Sequence, residues 1–241
     1  MTVERGDRMI LRGNSGNSSE IPQEAAFWVP SEHEIPEDEG IGFFQDVWMI
    51  LGVSPQDALA VVSTEQKYIS VTDTLSSSLL LFEQISKLLE SGEVGDSLEG
   101  NLYGELVKHI TELPEDPDEY VSPLDGLDLG VSGLTHALST IGGVPVASCR
   151  GHATQNPWAR QPVVFAALDE ERAHWLKPLL SATGCSFYVD PERSEFLAIE
   201  APSIIESNRL AALILEKFSK RTHFERWLDL SKIGYPADHD E

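Results

Sequence analysis

The chain has 241 residues, of which 41% are hydrophobic, and its 40 Asp and Glu residues outnumber 17 Lys and Arg residues to give a formal net charge of −23. This length and apolar content suit one large or two small domains with a buried core. No run approaches the roughly 20 apolar residues that span a bilayer, and the N-terminus lacks the apolar core of a secretory signal. The sequence therefore predicts neither a membrane span nor a secretory signal.

The negative charge is concentrated in the first half, where residues 1–127 carry 25 acidic and 6 basic side chains. Direct binding to nucleic acid draws on Lys and Arg side chains that neutralise phosphates, so this half is not expected to bind a duplex. It could dock on a protein partner with a basic surface, or imitate nucleic acid. Alternatively, the charge only keeps the protein in solution.

Two cysteines, Cys149 and Cys185, occur without a regular spacing. A disulfide framework uses more cysteines than this, so we expect free thiols and a cytoplasmic location. A single bridge between the two residues stays open at this point.

Composition divides the chain into five parts. The first 40 residues combine Gly, Asn, Ser, Pro and acidic residues, which cannot bury enough apolar surface to fold alone, although 26–29 form a short apolar anchor. Prolines and acids after Pro114 favour an extended linker. The predicted parts are a disordered arm (1–40), an acidic helical unit (41–113), a linker (114–127), an α+β domain (128–222) and a C-terminal tail (223–241).

Helical periodicity dominates the acidic unit. The apolar spacing predicts a helix over 43–51, and Ser54 with Pro55 begins another. A longer helix is expected to follow Ser70 and to end at Gly92. A further helix over 102–113 is stopped by Pro114.

The second half alternates between helix and strand patterns. From residue 131 the predicted order is α-β-β-α-β-β-α, with strands at 144–149, 163–167, 185–190 and 195–200. Two consecutive α-β-β units would build a four-stranded, mostly antiparallel sheet with helices on one face. The fold class is therefore predicted to be α+β, with an acidic helical N-terminal unit and a two-layer C-terminal domain.

The segment 148–152, of sequence Ser-Cys-Arg-Gly-His, is the best candidate for a functional site. It follows the first predicted strand, and Gly151 permits a tight turn in which neighbouring side chains converge. Cys149 and His152 are the catalytic candidates if the protein is an enzyme. Four residues are candidates for binding a ligand: Arg150, Gly151, Trp158 and Arg160.

Three chemistries and a structural role stay open for this loop. Cys149 and His152 form half of a metal site, and Cys185, His136 or His174 would have to complete it, so no metal site is assigned. A nucleophilic Cys149 would need a base and a lowered thiol pKa. Arginine and tryptophan side chains favour an anionic or nucleotide ligand. Otherwise the thiol is a small buried residue in a turn.

The segment 133–167, with its C-x-G-H turn followed by Pro162-Val163-Val164-Phe165, resembles short bacterial α/β proteins of unassigned function. It more distantly resembles the S-C-S-G-R turn of the Tyw-type wybutosine tRNA methyltransferases, with His152 in place of an arginine. That second resemblance implies S-adenosylmethionine and tRNA as ligands. The residues themselves specify no cofactor.

We therefore expect a non-catalytic binding or regulatory protein whose acidic half docks a protein partner and whose loop binds a small anionic or nucleotide ligand. One alternative is an enzyme that modifies RNA or a nucleotide through Cys149 and His152. The other is an inhibitor that imitates nucleic acid through its acidic half.

Overall fold

The computed structural model describes residues 18–28, 53–91, 101–124, 126–152, 159–191, 193–220 and 224. These parts contain six α-helices and one four-stranded antiparallel sheet, which confirms the predicted α+β class. The elements are α1 (Pro55–Leu75), α2 (Leu79–Ser91), α3 (Asn101–His109), α4 (Ser132–Thr140), β1 (Val144–Cys149), β2 (Val163–Ala167), α5 (Glu170–Thr183), β3 (Ser186–Tyr188), β4 (Leu197–Glu200) and α6 (Ile204–Phe218).

The sheet has the strand order β1-β2-β4-β3, and every neighbouring pair is antiparallel. Each α-β-β unit contributes one pair of strands, and β2 joins β4 at the centre. Strand β1 is one edge, where the register shifts between Pro145 and Ala147. The C-terminal end of β1, which carries Cys149, therefore lies at the edge of the sheet.

Local sequence signals set the ends of several helices where the sequence predicts them. Ser54 accepts a hydrogen bond from the backbone N–H of Asp57 at the start of α1. Asp169 does the same for Arg172 at the start of α5. Gly184 ends α5 in the left-handed conformation, with φ of 73°. Glycine adopts this conformation more readily than residues with a side chain.

The prediction of one long helix after Ser70 is wrong. Helix α1 continues through Ser70 to Leu75, and the chain breaks at 76–78 before α2 begins. These three positions are all serine, a residue type that favours helix caps over helix interiors. The Ser78 hydroxyl accepts the N–H of Leu81 at 3.2 Å, so it begins a second helix instead of continuing the first.

The helices before residue 114 pack directly against the elements after residue 128. Ala58 and Val62 of α1 lie in the same apolar core as residues of α4, α6 and one face of the sheet. Helices α2 and α3 share a second core with Leu124, which is fully buried within the segment 114–127. That segment also contains a single-turn 3-10 helix, Pro117–Glu119.

Residues 18–28 lie against the C-terminal half of the chain. Trp28, from the predicted apolar anchor, meets the ring of Phe196 edge-on with 5.6 Å between centroids. The backbone N–H of Phe187 in β3 donates to the carbonyl of Ser18 at 3.1 Å. Within the described ranges, no helix is both long and apolar enough to cross a membrane.

Several predicted segments lie outside the described residues. They are the rest of the arm, the helix over 43–51, Trp158 and, apart from Phe224, the predicted tail.

Candidate functional site

The turn after β1 packs against the backbone of residues 159–161. Gly151 adopts φ of 83°, and a Cβ atom there would lie 2.8 Å from the backbone of Arg160 and of Gln161. The backbone N–H of His152 donates to the carbonyl of Ala159 at 3.0 Å. Only glycine fits both this conformation and this space. The resulting turn brings Cys149, Arg150 and His152 close together.

Arg150 is buried, with 6% of its side chain exposed, and its guanidinium bonds two carboxylates of α2. One terminal nitrogen donates to Glu90 and the other to Glu83. Its backbone N–H donates to Asp128 at 3.0 Å. Ligand binding by Arg150 stays a prediction, and in this structure both terminal nitrogens already bond carboxylates.

Glu90 connects three segments at this position. Besides Arg150, its Oε1 accepts the backbone N–H of Leu129 at 2.8 Å. Burial raises the pKa of Glu90, whereas the charge of Arg150 opposes that rise. The end of β1, helix α2 and the turn before α4 therefore meet at one buried ion pair.

Asp128, Cys149 and His152 form a compact group next to this ion pair. One ligand atom of each, the carboxylate oxygen, the thiol sulfur and a ring nitrogen, lies within 4.8 Å of the other two. It is the single group of three or more His, Cys, Asp or Glu with this spacing among the described residues. We call these three residues the Asp-Cys-His cluster.

The His152 ring lies between two carboxylates. Its Nδ1 is 3.8 Å from Oε2 of Glu83, and its Nε2 is 4.0 Å from Oδ2 of Asp128. About a third of the His152 side chain is exposed. The imidazole therefore faces an acid on each side and is still reached by solvent.

The thiol of Cys149 is 5% exposed and receives a hydrogen bond from the Gly151 N–H, with 3.4 Å between nitrogen and sulfur. Burial raises the pKa of Cys149, and the negative charge of Asp128 adds to that rise. A raised pKa keeps the thiol protonated at neutral pH, and the protonated thiol is a poor nucleophile.

The loop brings four predicted site residues together, Cys149, Arg150, Gly151 and His152. Arg160 is exposed, and its backbone lies against Gly151. The other metal ligands considered from sequence lie on other elements. Cys185 precedes β3 at the opposite edge of the sheet, His136 is buried in α4, and His174 is exposed on α5.

Sequence reasoning missed three acidic residues of this site, Asp128, Glu83 and Glu90. Glu83 and Glu90 are seven residues apart on α2 and so share a face, and Glu90 follows directly on the buried Leu88 and Leu89. An acid within an apolar stripe was the available signal, since a buried carboxylate needs a partner. Asp128 carried no such pattern.

Comparison of the chain with protein-family models, with curated proteins and with solved structures found no match. The function is therefore inferred from the geometry of the loop and the charge around it.

Proposed function

We propose that this chain is a non-catalytic binding or regulatory protein, in which the loop 149–152 binds a small ligand and the acidic helical half docks a protein partner. The ion pair of Arg150 with Glu90 and Glu83 is the observation that carries this proposal. This ion pair joins the loop to α2. A ligand that moves the loop would therefore also move the acidic helices.

The chemistry of Cys149 favours binding over covalent catalysis. A nucleophilic cysteine requires a thiolate and a histidine free to take its proton. Burial raises the pKa of the Cys149 thiol, and both ring nitrogens of His152 face carboxylates. These features support a site that binds a ligand and forms no covalent intermediate with it.

The charge around the loop bears on the class of ligand. Three carboxylates, Glu83, Glu90 and Asp128, surround the buried guanidinium of Arg150. An anionic or nucleotide ligand, as expected from sequence, would have to use His152 and Arg160. The surplus of acid favours a ligand that brings a positive charge.

Exposed acids support the docking of a partner. Around the 3-10 helix, Glu115, Asp116, Asp118 and Glu119 are all exposed, and Glu112 adds an exposed carboxylate paired with Lys67. Such a concentration of one charge steers a basic surface towards it and loses strength as salt screens it. A basic protein is the partner that this surface fits.

Ligand binding is tested by thermal unfolding of the purified full chain with four probes added separately: Zn²⁺, inorganic phosphate, AMP and S-adenosylmethionine. We expect at least one probe to raise the melting temperature, because a ligand that binds only the folded state stabilises it. The rise should disappear in Cys149→Ala and His152→Ala and persist in Cys185→Ala. If no probe shifts the unfolding, the proposed ligand site is wrong.

Partner docking is tested by affinity capture at low salt. Wild type is compared with a chain carrying E115Q, D116N, D118N and E119Q, and with a control carrying E170Q and E216Q on the second half. A captured basic protein should be lost in the first variant and kept in the second. Equal capture by all three would show that the charge only maintains solubility, and displacement by duplex DNA would favour the nucleic-acid mimic.

A second candidate function is an enzyme that modifies RNA or a nucleotide through Cys149 and His152. The observation in its favour is the spacing of the Asp-Cys-His cluster, whose residue types also occur in nucleophilic triads. Its test is the reactivity of the Cys149 thiol, which would exceed that of an unfolded peptide thiol if the enzyme were correct.

A further inference from the structure

We propose that the Asp-Cys-His cluster is a binding site for a divalent transition-metal ion of the zinc type. This inference rests on the proposed ligand-binding role of the loop and names the ligand. Asp128, Cys149 and His152 would each supply one ligand atom. No fourth His, Cys, Asp or Glu of the described residues joins them, so water or another group would take the fourth position.

The spacing of the cluster matches the coordination sphere of zinc. Bonds of about 2.0–2.3 Å in a tetrahedron place ligand atoms about 3.3–3.8 Å apart. In the protein the three ligand atoms lie within 4.8 Å of one another, and His152 Nε2 is 4.0 Å from Asp128 Oδ2. Side-chain adjustments of roughly 1 Å or less would therefore complete the geometry.

The donor set selects the class of metal. Sulfur, imidazole nitrogen and carboxylate oxygen together are the ligands that zinc uses in proteins. Magnesium and calcium take oxygen ligands and keep larger coordination numbers, so they are a poor match for Cys149. Three protein ligands with an open position is also the arrangement found in zinc sites that bind a further group.

Hydrogen bonds orient two of the three ligands, and a carboxylate faces the third. The Gly151 N–H donates to Cys149 Sγ at 3.4 Å, and the Arg150 N–H donates to Asp128 Oδ2 at 3.0 Å. With Nε2 of His152 towards Asp128, its Nδ1 faces Glu83 at 3.8 Å. That distance is longer than a hydrogen bond, and a movement of roughly 1 Å or less would let Glu83 accept the Nδ1–H. A carboxylate hydrogen-bonded behind a ligating histidine fixes the ring and raises the basicity of the nitrogen that binds the metal.

Charge also favours a cation at this point. Glu83 and Glu90 bond the guanidinium of Arg150, and Asp128 turns Oδ1 towards Arg150 at 3.9 Å and Oδ2 towards His152. The positive charge of Arg150 is thus offset by α2. The Asp128 carboxylate remains to attract a metal ion, and the Cys149 thiol would release its proton to solvent as its sulfur binds the metal.

The test uses Co²⁺ as a spectroscopic probe for the zinc site in the full chain after treatment with a chelator. Binding through a thiolate gives a sulfur-to-cobalt charge-transfer band, and titration with Zn²⁺ should remove it as zinc replaces cobalt. We expect this band in wild type and in Cys185→Ala, which keeps Cys149 as the one thiol. Cys149→Ala should lose the band, and circular dichroism checks that the variant is folded.

Affinity for Zn²⁺ measures the other two ligands. Loss of a residue behind a ligand costs about 10–100-fold in affinity, so loss of a ligand should cost about 100-fold or more. We expect such a loss for His152→Ala and Asp128→Asn, and none for the exposed control His174→Ala. In wild type, bound Zn²⁺ should also protect Cys149 from iodoacetamide. This measurement uses the chain without any substitution.

Each result bears on the inference. Absence of the charge-transfer band, a band that depends on Cys185 instead of Cys149, or unchanged affinity in His152→Ala would overturn the metal site. If Zn²⁺ fails while phosphate, AMP or S-adenosylmethionine stabilises the chain through the same loop, the metal inference is wrong and the proposed ligand-binding function stands. If no probe binds, both are wrong.

Discussion

The carboxylate of Glu65, at the middle of α1, accepts the backbone N–H of Gly133, in the first turn of α4, at 3.1 Å. Glu65 is fully buried, and it also accepts the N–H of Gly130 and an amide N–H of Asn208 on α6. A helix N-terminus leaves N–H groups without partners within the helix, so an acid from another helix supplies the acceptor. This contact joins α1 to α4 and α6.

Replacing Glu65 with alanine should destabilise the protein by about 3 kcal/mol or more. Two backbone N–H groups would stay buried without an acceptor, at roughly 1–3 kcal/mol each. Urea unfolding of the variant measures the loss. The exposed Glu112, replaced with alanine, is the control and should change the free energy of unfolding little. Equal effects at both positions would contradict the prediction.

Glu65 should also make stability depend on pH. Burial raises its pKa above the ordinary value of 4.5, against the opposing hydrogen bonds from Asn208, Gly133 and Gly130. A raised folded-state pKa contributes stability that is complete below the ordinary value and is lost as the pH rises through the folded value. The free energy of unfolding of wild type minus that of Glu65→Gln should therefore fall between acidic and neutral pH. A constant difference, or one that rises, would show that burial does not control this group.

Arg150→Met should destabilise the chain by about 3–5 kcal/mol, because it leaves buried Glu90 without its cation. Adding Glu90→Gln should recover much of this loss, since it removes the unpaired charge and keeps an acceptor for the N–H of Leu129. Lys108→Met breaks an exposed pair with Glu105 and is the control. Denaturant unfolding gives all of these values. A double variant as unstable as Arg150→Met would mean that the ion pair does not account for the loss.

Cys149 should react with iodoacetamide more slowly than a thiol in an unfolded peptide at neutral pH. Burial raises the pKa of Cys149 above the ordinary 9.0 and so lowers the thiolate fraction at neutral pH. The rate of reaction should therefore still be rising when the pH passes 9.0. Burial raises the pKa of Cys185 to about 12, so Cys185 should react more slowly still. Mass spectrometry of the two labelled peptides compares them. A Cys149 faster than the peptide thiol would favour the enzyme.

Gly151→Ala should destabilise the protein by about 1–3 kcal/mol and weaken ligand binding at the loop. Alanine at φ of 83° is strained, and its Cβ would press on the backbone of Arg160. Gly104→Ala in α3 is the matched control, because nothing beyond its chain neighbours and its own helix backbone lies within 4 Å of the added Cβ among the described residues. It should stabilise by about 0.5–1 kcal/mol. Thermal unfolding separates the two, and a harmless Gly151→Ala would contradict the described turn.

Local signals were sufficient for most of the fold after residue 128. Asp169 and Gly184 mark the ends of α5, and the apolar run of β2 predicts Val163–Ala167 without error. The break at 76–78 was missed because the apolar residues before and after it keep helical spacing. The Ser78 hydroxyl accepts the N–H of Leu81 and begins α2 there, and apolar periodicity does not predict a helix start of that kind.

The site was less predictable than the fold. The loop was found because Cys149, Arg150 and His152 are close in sequence. The partners of Arg150 lie 60 residues away at Glu90, 67 at Glu83 and 22 at Asp128. The fold places α2 and the turn before α4 next to Arg150, and no spacing within the loop encodes that arrangement.

The sheet ends in two edges that differ in how they avoid pairing with another molecule. At β1, a proline and an irregular register interrupt the row of backbone donors and acceptors. At β3, the N–H of Phe187 is taken by the carbonyl of Ser18, from the segment 18–28. Segment 18–28 therefore occupies a backbone donor of the β3 edge, which is then not available for pairing with another strand.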